Sequence, residues 1–240
     1  LRRLNIREEW LKLNFHLPEL TLLTKQIPPA TAEPILKLKV QAKDSDFALD
    51  RLMVYDNDVP IHGRQGLFLN ARNRHTLEQE IEVPLVPGTN KIQVSVLNQA
   101  GTESLRETVN IQFTGQTARP TLHLITVGVS DYRQKNFNLR YAAKLKYELR
   151  QTQLLNRHVS REAVLKLRKQ LEQSQPQDRV ILFFAGHGLL DQEKNYYFAP
   201  HEIDFDHPQK KGLRFEEIED LLDGIPAREK LLLIDTCNAG

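Results

Sequence analysis

Ile181-Leu182-Phe183-Phe184-Ala185-Gly186-His187-Gly188 and Leu231-Leu232-Leu233-Ile234-Asp235-Thr236-Cys237-Asn238-Ala239-Gly240 decide how this chain is read. Each is a short apolar run that stops in small and polar residues. Such runs are typical of parallel strands covered on both faces. In open α/β sheets, chemistry sits just beyond the carboxyl ends of these strands. One end presents an imidazole, the other the single cysteine of the chain. A thiol needs a base or an electropositive neighbour to become a nucleophile at neutral pH, and a histidine can supply it. Taken alone, a strand-end cysteine is ordinarily a small buried hydrophobe, and a histidine between glycines a turn residue. Found together at matching strand ends, they point to a nucleophile and its proton carrier.

From Pro120 onward apolar strands alternate with helical patterns, the signature of βαβ units. The spacing predicts a parallel sheet with strands ending near Gly128, Leu155, Phe184 and Ile234, and His187 and Cys237 close together at its carboxyl edge. Ser160 is a suitable N-cap, Glu162 favours the helix dipole, and Val164, Leu167 and Leu171 share one helical face. A second helix follows Gly212 and ends at Gly224 and Pro226. Phe215, Ile218, Leu221 and Leu222 form its apolar stripe, with Glu216, Glu217, Glu219 and Asp220 turned to water. A crossover between Val129 and Tyr147 must also hold a loop through Asn138, which leaves little room for a full helix. A gap in the sequence near Lys144-Leu145 is one reading of that shortage.

Upstream the period changes. Leu36 to Val40, Lys91 to Leu97 and Thr108 to Phe113 alternate with period two. Turn residues stand at Asp56-Asn57-Asp58, Pro87-Gly88-Thr89-Asn90 and Asn98-Gln99-Ala100-Gly101. Short alternating strands at this spacing predict an all-β sandwich of immunoglobulin-like size over residues 29–117. Residues 1–28 read as a packing segment or tail in which Ile6, Trp10 and Leu13 are spaced like one helical face. Residues 120–240 form the α/β part.

A net charge of +2 over 240 residues gives no reason to expect nucleic acid or an acidic membrane surface as partner. No apolar run approaches the roughly 20 residues that span a bilayer. One cysteine excludes an internal disulfide and fits a reducing compartment, so a cytoplasmic location is expected. No spacing matches zinc or calcium ligands, and no cofactor is expected.

The His-Gly after one strand and the Asp-x-Cys-x-x-Gly after the next resemble the caspase-like cysteine peptidases: caspases, metacaspases and bacterial orthocaspases. The likeness extends to Leu124-Ile125-Thr126-Val127-Gly128-Val129-Ser130-Asp131-Tyr132 and Asn138-Leu139-Arg140-Tyr141-Ala142-Ala143. His187 and Cys237 stand 50 positions apart, about the separation of these two groups in caspases. The resemblance implies an α/β caspase-like parallel-sheet domain, with an immunoglobulin-like module of the kind found beside such domains in some bacterial proteins.

It also implies a cysteine endopeptidase with Cys237 as nucleophile and His187 as general acid and base. The backbone N–H groups of Gly188 and Cys237 would serve as oxyanion donors. Strand alternation points Asp235 to the side of Cys237, where a carboxylate favours a cationic side chain. In the arginine- and lysine-specific relatives this aspartate lines the specificity pocket. These relatives often carry a second acid shortly after the segment matching Leu139 to Lys144, where this chain has Leu145. They often carry histidine and serine after the cysteine, where this chain has Asn238 and Ala239. The resembled fold has further strands after the cysteine, so the chain reads as the large piece of a cleaved enzyme or as an incomplete record. Expected partners are a protein or peptide substrate, an activating protease and a C-terminal small subunit. Some metacaspases use calcium, and nothing in this sequence speaks to that. Two other readings stay open: a catalytically silent scaffold with a partner-recognition module, and an esterase or other acyl hydrolase using the same dyad.

Overall fold

The computed structural model describes residues 16–69, 74–129 and 148–236. The chain divides into two compact units at Gly115/Gln116.

The first unit is a β-sandwich built from β1 (Glu19–Leu22), β2 (Ala30–Thr31), β3 (Ile35–Lys43), β4 (Leu49–Asp56), β5 (Val59–Pro60), β6 (Leu67–Phe68), β7 (Thr76–Pro84), β8 (Gly88–Asn98) and β9 (Glu107–Phe113). One sheet has the order β1-β3-β7 and the other β2-β9-β8-β4-β5, with β6 paired to β4. The alternation read in the sequence is the alternation of burial. Leu36, Leu38 and Val40 turn inward from β3, Ile92, Val94 and Val96 from β8, and Val109, Ile111 and Phe113 from β9. Asn57 and Asp58 both have positive φ. They make the two-residue hairpin joining β4 to β5, where a primed turn matches the twist of the strands. Part of the segment read as a packing segment or tail is a strand: β1 pairs with β3 from Glu19↔Lys43 to Leu22↔Val40, and Leu20 is buried beneath it. The helical face of Ile6, Trp10 and Leu13 lies outside the described residues.

The second unit runs β10 (Thr121–Gly128), β11 (Glu148–Leu155), α1 (Arg161–Leu171), β12 (Arg179–Gly186), β13 (Gly188–Leu190), β14 (Tyr196–Phe198), α2 (Pro208–Lys211), β15 (Leu213–Arg214), α3 (Phe215–Asp220) and β16 (Glu229–Thr236). The main sheet has the order β11-β10-β12-β16, and every neighbouring pair in it is parallel. The four expected strands are therefore present, and they end together. The segment around Lys144-Leu145 lies outside the described residues.

Ile125 and Val127 of β10 and Leu182 and Phe184 of β12 form the floor of the core. Val164, Leu167 and Leu171 of α1 pack on that floor with Ile218 of α3 and with Leu221. Ser160 caps α1 as its sequence predicts, its hydroxyl accepting the Ala163 N–H at 3.1 Å. Arg168 ties the two helices together: its guanidinium donates to the carbonyls of Asp220 at 2.8 Å, Leu221 and Asp223 just beyond α3. Arg161 pairs with Glu217, which also accepts the Arg214 N–H. Glu217 is thus drawn out of the solvated face expected for it.

Both helices lie on one side of the sheet. On the other side, among the described residues, Leu149, Leu155, Leu231 and Leu233 stay exposed, and Ile181 and Phe183 are half-buried. The expectation of strands buried on both faces is therefore met on one face only. The apolar run of β16 does not alternate in sequence, but it alternates in burial.

Candidate active site

β12 and β16 are neighbours in register, with Ala185 opposite Asp235 and Gly186 opposite Thr236. His187 is the residue after Gly186, and Cys237 the residue after Thr236. Cys237 itself lies outside the described residues.

His187 is exposed at the carboxyl end of β12. Its ring meets Phe205 edge-on, with centroids 6.1 Å apart, and its carbonyl accepts the Ala199 N–H at 2.9 Å. Gly188 is buried and begins β13, paired with Phe198. The glycine before the histidine is there for space. A Cβ on Gly186 would stand 3.2 Å from the Phe198 ring and 3.4 Å from the Val129 carbonyl. Asp235 is exposed on β16, on the open side of the sheet with Leu231 and Leu233, and not on the helix-covered side.

The small antiparallel sheet that follows His187, of order β13-β14-β15, was not anticipated. Its hairpin is closed by Asp191. That carboxylate accepts the N–H groups of Glu193 at 2.9 Å and Asn195 at 2.8 Å, the Asn195 amide at 2.9 Å and the Tyr197 hydroxyl at 3.2 Å. The Asn195 side chain in particular holds the Asp191 carboxyl below its ordinary range. Burial, and then the hydrogen bond to Asp191, push the Tyr197 phenol up. The signal was present: Gly188-Leu189-Leu190 and Tyr196-Tyr197-Phe198 flank a polar pentapeptide, which is the pattern of a hairpin. Three-residue strands are too short for alternation to stand out.

Tyr196 reaches the main sheet. Its hydroxyl lies 2.6 Å from Thr236 Oγ1 at the end of β16, and its ring meets Phe215 edge-on at 6.1 Å. Phe215 is therefore at the surface beside this contact and not in the apolar stripe of α3. Beyond the hairpin opens a cleft of about 710 Å³, lined among others by Asp191, Glu193, Phe205, His207 and Arg214. Its size is that of a small-ligand or side-chain pocket, and Phe205 is shared between its wall and the His187 ring. Among the described residues no group of three or more His, Cys, Asp or Glu side chains is arranged to hold a metal ion.

The family model described as caspase domain matches residues 138–240. No curated protein matches the chain. Among solved structures, the fibronectin(III)-like modules of Clostridium thermocellum CbhA are 19% identical, with 42% of this chain and 48% of that chain covered and a TM-score of 0.31. A mutant of the SrpA adhesin from Streptococcus sanguinis is 18% identical, with 46% of this chain and 66% of that chain covered and a TM-score of 0.29. The caspase-domain match thus falls on residues 138–240, within the second unit, and the unit before it is an all-β sandwich.

Proposed function

We propose that this chain is a cysteine endopeptidase that cuts after Arg or Lys. One observation carries the reading: β12 and β16 are adjacent, parallel and in register at Gly186↔Thr236, so the chain leaves both strands at one sheet edge, into His187 and into Cys237. In this reading the His187 imidazole takes the Cys237 thiol proton. The thiolate then adds to the scissile carbonyl carbon, and the N–H groups of Gly188 and Cys237 hold the oxyanion. The imidazolium returns the proton to the departing amine as the C–N bond breaks. Water, deprotonated by His187, hydrolyses the thioester and frees the thiol. Asp235 selects the residue before the cut, because a guanidinium against a carboxylate makes a charge-assisted and often bidentate pair. An aspartate substrate would bring like charges together. A nucleophile that must stay reduced suits a reducing compartment.

A panel of fluorogenic peptides with Arg, Lys or Asp before the scissile bond tests the reading. Cleavage after Arg and Lys is expected, lost in Cys237→Ala and shifted away from Arg in Asp235→Asn. Turnover by folded Cys237→Ala would remove the nucleophile. A preference for Asp, or an Arg preference untouched by Asp235→Asn, would remove the pocket and leave the dyad.

A further inference from the structure

The hairpin after His187 touches both strands that lead into the proposed site. On one side Ala199, just past β14, donates its N–H to the His187 carbonyl at 2.9 Å. On the other, Tyr196 of β14 puts its hydroxyl 2.6 Å from Thr236 Oγ1, the last side chain of β16 before Cys237. We propose that Tyr196 is a positioning residue, one that fixes the end of β16 against the His187 strand so that the strand ends leading to His187 and Cys237 stay in register. The inference rests on the peptidase reading above.

Three features fit Tyr196 for this role. Its ring is set by the edge-on contact with Phe215 and by backbone pairing with Leu190, so its hydroxyl is aimed before it meets Thr236. It alternates with Tyr197, whose hydroxyl goes to Asp191 and keeps the hairpin closed. Both partners of the 2.6 Å contact are partly buried, where a hydrogen bond competes less with water. β16 needs such a tie because its outer face is open: Leu231 and Leu233 are 47% and 44% exposed.

The chain has one cysteine, so alkylation by iodoacetamide reports on Cys237 alone and needs no substrate. We expect Tyr196→Phe, which keeps the ring, to slow alkylation at neutral pH about fivefold, the size set by losing one hydrogen bond. The pH profile should move toward that of an ordinary thiol. Thr236→Val should do the same, and the double variant should do no worse than either single one. Thr236→Ser, which keeps the hydroxyl, should return the rate to within about twofold of wild type. In peptide cleavage, kcat should fall with KM unchanged. Unchanged alkylation in a folded Tyr196→Phe protein, or additive losses in the double variant, would overturn the proposal. Should Tyr196→Phe fail to fold, the Thr236→Val and Thr236→Ser pair decides alone. If His187→Ala leaves the alkylation profile as it was, the dyad fails and the positioning role falls with it; if His187→Ala changes the profile and Tyr196→Phe does not, the dyad stands and the positioning role alone fails.

Discussion

At the scale of single residues, His187 and Lys230 make separate predictions. His187 is exposed and held by its backbone to Ala199, so its imidazole can be removed with little loss of packing. His187→Ala should cut peptide hydrolysis by at least about 10²-fold, the usual effect of a missing acid–base group, with an unchanged melting temperature. Lys230 lies on the covered side of β16, where burial first and the Arg228 charge second push its ammonium down to about 8. Between about 8 and the ordinary lysine value of 10.5 the unfolded chain holds this proton and the folded one does not. Stability therefore rises with pH across that window, and the cost of the buried charge is present in full below it. Urea unfolding at pH 7 and at pH 9.5 should show this slope. Lys230→Met should flatten it and raise stability at pH 7.

At the scale of elements, Asp178 is the joint between the start of β10 and the turn into β12. Its carboxylate accepts the N–H groups of Thr121 at 2.7 Å and Gln175 at 2.8 Å, and it meets His123 Nε2 at 3.2 Å; the Thr121 and His123 contacts are buried. Asp178→Ala leaves the Thr121 N–H buried and unmet and takes from buried His123 its partner. It should cost about 1–3 kcal/mol, read by chemical unfolding, whereas Asp178→Asn should cost less. The elements also show what the sequence made legible. The four parallel strands and α1 were readable because apolar runs, turn residues and the Ser160 cap all agree. β4 was harder, since a register shift between Leu49 and Arg51 breaks its alternation. β13 to β15 were missed because each is too short to show a period. The open face of β16 could not be read at all, since Leu231 and Leu233 are as apolar as Leu232 and Ile234. Only the packing of α1 and α3 on one side tells them apart. His187 and Asp235 could be proposed as site residues from the sequence, but the Tyr196–Thr236 contact could not be foreseen, because it joins strands 40 residues apart.

At the scale of the whole molecule, each unit has its own core, with Leu38, Ile92 and Ile111 among the centres of the first and Leu182, Phe184 and Ile218 among those of the second. The rungs joining β12 to β16 have a further consequence, for the order in which the second unit folds. Every rung, from Arg179↔Glu229 to Gly186↔Thr236, links residues 50 apart in sequence. The loop between them must close before the first rung forms, while α1 needs only contacts a turn away. Pulse-labelled hydrogen exchange during refolding should therefore protect the amides of α1 before those of β16. Simultaneous protection would refute this order. A growing or half-folded chain then holds apart β12 and β16, the strands that lead to His187 and Cys237, so on the peptidase reading the cutting of other proteins is withheld until β16 docks.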